Sequence, residues 1–118
     1  MLAAACRFDL RIPGVRSLKE KRHVVKSLTA SLRSRFNVSV AEVADLDLWR
    51  RATVGVAVVS NDARFANQVL SQVVNHVEND WRVVLDDYGI EMVAASGTAV
   101  AAAADAGEID VSDWFGSA

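Results

Sequence analysis

Lys19, Arg22, Lys26 and Arg33 are spaced so that, on a helix turning 100° per residue, they fall within about 60° of one another. Such a row of cations neutralises phosphates and contacts a nucleic-acid backbone without reading its bases. Arg16 just ahead of this segment, with Arg7 and Arg11 in the stretch before it, is expected to extend the positive surface. The N–H groups at the start of a helix there suit a phosphate as well. The competing reading is a solvated face that keeps the protein dissolved and binds nothing.

Other reactive side chains are sparse. His23 and His76 fall on different predicted helices with no nucleophile beside either, so both are expected at the surface and neither as a catalytic base. Cys6 shares its parity with Leu2 and Phe8 and is expected as a core thiol. Asp45 with Asp47, and Asp86 with Asp87, match no ligand set of known spacing, so capping and loop roles are expected and no metal or cofactor. Lys21 interrupts an apolar stripe and is expected to reach along it to the surface. Trp49 is expected to anchor its loop onto the domain.

The elements that must position these residues belong to a chain of 118 residues, 52% hydrophobic and 24% charged, which is one domain's worth of core. A single cysteine excludes a disulfide framework and a cysteine-based zinc site. No basic leader precedes the first apolar residues and no apolar run approaches the roughly 20 residues of a membrane helix, so a cytoplasmic protein is expected. The net charge of −2 conceals an asymmetry: residues 1–36 hold nine Lys and Arg against Asp9 and Glu20, while Arg50, Arg51, Arg64 and Arg82 face thirteen acids in the remainder. A polyanion partner for the basic part is the reading this invites.

Leu2, Ala4, Cys6, Phe8 and Leu10 alternate with Ala3, Ala5, Arg7 and Asp9, the pattern of a strand with one buried face. Pro13-Gly14 makes a turn, and the Ser17-x-x-Glu20 spacing of a capping box predicts a helix from Ser17 to about Arg35. Leu18, Val25, Leu28, Leu32 and Phe36 form its apolar stripe, with Val24 beside it. A short strand follows over Val38–Glu42, then a polar loop, then a strand over Arg51–Ser60 with Val54, Val56 and Val58 inward. Asn61 or Asp62 caps a second helix reaching about Asp80, with Ala66, Val69, Leu70, Val73 and Val77 on one face. Val83–Val93 is the last strand, with Asp86-Asp87 and Gly89 arguing against a regular start and ladder.

This order, β-α-β-β-α-β over residues 1–93, predicts a ferredoxin-like α+β domain, a four-stranded antiparallel sheet with two helices on one face. The uncovered sheet face then carries Ala3, Ala5, Ser39, Ala41, Thr53, Gly55 and Ala57. These lack the stacking aromatics with which RNA-recognition domains of this topology hold bases. A smooth face of small residues, with Ala5, Ser39, Ala41, Thr53, Gly55 and Ala57 at its centre, instead suits packing against a second copy, making a homodimer the alternative reading. Residues 94–118 are an Ala-rich tail with four acids and no Lys or Arg. Its Glu108-to-Phe115 stretch interleaves acids with large apolar groups, either as a flexible end or as a segment that orders on a partner.

The run Ser17-Leu18-Lys19-Glu20-Lys21-Arg22, the phrase Arg35 to Val43, Asp47-Leu48-Trp49 and Gly55 to Asp62 together resemble the YlxP-like family of bacterial proteins over residues 1 to about 93. That resemblance implies a ferredoxin-like fold, carries no assigned catalytic residues, and implies a connection to RNA or the ribosome through the genes its members neighbour. The expectation is an accessory protein that binds RNA or a ribosomal subunit through Lys19, Arg22, Lys26 and Arg33, and not an enzyme. A third reading rests on topology: acylphosphatases hold phosphate in the loop after their first strand with an arginine, where this chain has Pro13-Gly14-Val15-Arg16-Ser17. It lacks their fuller glycine-rich pattern ending in Phe-Arg.

Overall fold

A computed structural model describes residues 1–94, so the predicted tail lies outside the described residues from 95 onward. The elements run β1 (Leu2–Arg11), α1 (Leu18–Arg35), β2 (Ser39–Ala44), β3 (Arg51–Ser60), α2 (Ala63–Glu78) and β4 (Val84–Ala94). All pairings are antiparallel and the sheet order is β2-β3-β1-β4, the ferredoxin-like arrangement that the alternation and capping signals predict.

The pleat divides β1 cleanly. Ala4, Cys6, Phe8 and Leu10 are buried, opposite Val58, Val56, Val54 and Ala52 of β3, and form the floor of the core. Val25, Leu28 and Leu32 of α1 and Ala66, Leu70, Val73 and Val77 of α2 close over that floor. Each large apolar side chain buried in this way contributes roughly 1.5–3 kcal/mol before conformational entropy is offset. No helix among the described residues is long and apolar enough to cross a membrane.

Local chemistry sets the helix ends. Ser17 has an extended backbone and its hydroxyl accepts from Glu20 N at 3.1 Å, while Glu20 Oε1 accepts from Arg16 N at 3.2 Å, one residue earlier than a standard capping box. Asp62 caps α2 by accepting from Arg64 N at 2.9 Å. Two strand irregularities escape periodicity. A register shift between Glu42 and Ala44 makes Val43 the extra residue of β2, and a shift beside Asp9 leaves Asp86 extra in β4. The aspartate pair that obscures β4 in the sequence is thus a bulge within it.

Candidate functional site

The exposed face of α1 carries Lys19, Arg22 and Lys26, and none of the three has an ion-pair partner among the described residues. At 1.5 Å of rise per residue they span about 10 Å on a rigid helix. Arg33 continues the row, but its guanidinium donates to Val40 O of β2 and so also ties α1 to the sheet edge.

Arg7 and Arg11 do not extend this surface. Their odd positions on β1 put them on the face opposite the helices, where Arg7 lies 3.6 Å from Asp9 and Arg11 Nε donates to both carboxylate oxygens of Asp86 at 2.9 and 3.0 Å. A strand cannot present alternate residues to a helix that covers its other face. Arg16 is exposed beside the start of α1 and remains part of the basic end of the helix.

The main feature that periodicity misses is Trp81, 91% exposed in the turn between α2 and β4. Trp81, Val83 and Leu85 share strand parity, which argues for a buried ring, but the chain is still turning at 81 and the parity has not yet begun. Arg82 fixes this turn: it donates to Asp80 Oδ2 at 2.8 Å through Nη2 and to Asp80 Oδ1 at 3.0 Å through Nε, and reaches Ser27 Oγ of α1 at 3.0 Å. The hydrogen bonds from Arg82 hold the Asp80 carboxyl below the usual carboxylate range, against the opposing effect of burial. Trp81 borders an open groove of about 650 Å³ whose other walls include Ile12, Pro13, Val15, Lys19, His23 and Val24. Lys19 belongs to both the groove and the basic row.

On the uncovered sheet face, Ala5, Ser39, Ala41, Gly55 and Ala57 come together around a shallow apolar depression. Thr53 does not join them. It is buried, and its hydroxyl donates to Asp45 Oδ2 at 3.2 Å, because the β2–β3 loop folds over that end of the sheet. Asp45 itself adopts a left-handed backbone with φ of 60°, which an aspartate tolerates better than most residues.

Several single-residue expectations change in three dimensions. Lys21 does not reach the surface: it is fully buried, with Nζ 2.7 Å from Glu42 Oε2 and donating to Asp45 O at 2.6 Å. His76 is half-buried, with Nε2 2.8 Å from Ser31 Oγ across the two helices, whereas His23 is exposed. Trp49 is 51% exposed alongside exposed Leu46 and Leu48, so it does not pin its loop. Cys6 is a core thiol, and burial pushes its pKa up to about 12. Gly14 has no left-handed backbone and a side chain there meets open space, so the turn does not need glycine as a close phosphate cradle does. Among the described residues no group of three or more His, Cys, Asp or Glu is placed to hold a metal.

The fold and the basic helix define a small ferredoxin-like α+β domain with a cationic face. Residues 3–90 match the model of a family described as a protein of unknown function, DUF503, and the chain belongs to that family. The chain is similar to the uncharacterized protein YlxP of Bacillus subtilis (strain 168), 35% identical over 63 residues that cover 53% of this chain and 68% of the relative.

Proposed function

We propose that this protein binds the phosphate backbone of RNA through the outward face of α1, as an accessory factor on ribosomal or other structured RNA. The observation that carries the reading is the row Lys19, Arg22 and Lys26, exposed without an ion pair among the described residues and held within about 10 Å on one helix. Arg33 and Arg16 supply further charge at either end. Backbone contacts of this kind position a protein with little sequence preference. RNA is chosen over DNA on the family resemblance.

The test is binding to ribosomal subunits and to a structured RNA across a salt series. Wild type should weaken linearly in log–log form, and Lys19→Glu with Arg22→Glu and Lys26→Glu should abolish binding while leaving the fold unchanged by circular dichroism. Single neutralisations should each lower the salt slope by roughly 0.7–0.9. Salt-independent binding, or undiminished binding by the triple variant, would remove the helix from the function.

A second reading is favoured by the depression on the sheet face. Ala5, Ser39, Ala41, Gly55 and Ala57 present backbone-close apolar surface, with exposed Val59 beside it, suited to a second copy of the chain. Light scattering over a concentration range checks it: a mass that doubles in wild type and stays monomeric in Ala57→Arg supports a dimer through this face.

A further inference from the structure

Trp81 is the most exposed large apolar side chain among the described residues, yet its turn is held by several hydrogen bonds. Asp80 N donates to Val77 O at 3.1 Å, Arg82 N donates to Asp80 Oδ1 at 2.9 Å, and the Arg82 guanidinium is locked between Asp80 and Ser27. An aromatic ring held out on a rigid turn loses little entropy when something packs on it. Ile12, Pro13, Val15 and Val24 line the groove beside it with apolar groups. Lys19 and His23 line it as well, and Lys19 is the first member of the cationic row. The groove's acid, Glu20, accepts from the backbone N–H of Arg16.

We propose that this groove takes an unpaired base of single-stranded RNA, stacked on Trp81, while Lys19, Arg22 and Lys26 hold the phosphates that follow it. The inference rests on the RNA reading above and adds to it the kind of RNA. An apolar groove edged by an exposed ring, beside cations that make no ion pair among the described residues, is complementary to a nucleotide, which joins a flat π-face to an anion. A duplex keeps its interior bases stacked on one another and offers Trp81 a free face only at its two ends. The stacking platform is therefore at the end of the helices, on the opposite side of the molecule from the aromatic-free sheet face.

The test uses a labelled single-stranded RNA decamer of mixed sequence and a duplex of the same length. Trp81→Ala should weaken the single strand by roughly 5- to 150-fold, the range for one stacked base, and Trp81→Phe should restore most of that affinity. Both should leave duplex binding unchanged, whereas the triple glutamate variant should lose both RNAs. With Trp49 and Trp114 replaced by Phe, emission from Trp81 should be quenched by the single strand. The side chain is exposed, so these variants keep their fold. Trp81→Ala binding the single strand as wild type does, while the triple variant fails, would overturn base stacking and leave the backbone reading standing. Wild type binding neither RNA would overturn both. Loss in Trp81→Ala of affinity for a peptide of residues 108–115, with RNA binding intact, would give the groove to a peptide and overturn the nucleotide.

Discussion

Lys21 Nζ lies 2.7 Å from Glu42 Oε2 in a site where the lysine is wholly buried. That ammonium also holds the carbonyls of Asp45 and Leu46, at 2.6 and 3.3 Å, so one side chain of α1 fastens β2 and the loop after it. Glu42 Oε2 has no other polar compensation among the described residues.

Removing one member of such a pair leaves a buried charge uncompensated. Lys21→Met should cost about 3–5 kcal/mol in urea unfolding, and the double variant Lys21→Met with Glu42→Leu should recover most of the loss. Equal stability of the single and double variants would show that Glu42 carries no penalty once Lys21 is gone. RNA affinity should be unchanged in the double variant, because Lys21 points away from the cationic row.

Cys6 is enclosed by the core, and its thiolate is disfavoured up to about pH 12 against an ordinary value of 9.0. A raised pKa in the folded state means its contribution is complete below pH 9.0 and is lost as pH rises toward 12. Thiol-specific labelling at pH 8 should therefore be slow in the native protein and fast in denaturant. Rapid stoichiometric labelling of the native chain would contradict the burial.

Asp80 behaves in the opposite sense. Its folded pKa is lowered by the hydrogen bonds from Arg82, so its contribution is present above the ordinary carboxylate range near pH 4 and fades as pH falls through the folded value. Asp80→Asn should be less stable than wild type at pH 7, with the gap closing below about pH 4. A gap of constant size across that range would count against the Asp80–Arg82 pair as its cause.

Residues 95–118 carry four acids and no Lys or Arg, so their removal takes the net charge from −2 to +2. Truncation after Ala94 should tighten RNA binding and steepen its dependence on salt. Unchanged affinity at low salt would show that the acidic segment does not oppose the anion.

Much of this was legible in residue order alone. Alternation in Leu2 to Leu10, the Ser17–Glu20 cap and the β-branched run Arg51–Ser60 each report on local geometry, and local geometry is what a period of 2 or 3.6 encodes. The positions of Lys19, Arg22 and Lys26 on one face follow from the same pitch.

Residue order could not say what lies across from a polar side chain. Arg7 and Arg11 are read as part of the basic surface until the helices cover the other face of β1, and Lys21 is read as exposed until the β2–β3 loop brings Glu42 and two carbonyls to its ammonium. Trp81 shares its parity with buried Val83, and only the hydrogen-bonded turn at Asp80 shows that it stands in solvent beside Lys19. The elements, their order and the cationic helix face follow from residue order, because each depends on neighbours a few positions apart. The tertiary structure alone decided which charges are neutralised and where the aromatic groove opens, because those depend on partners brought together from elements far apart along the chain.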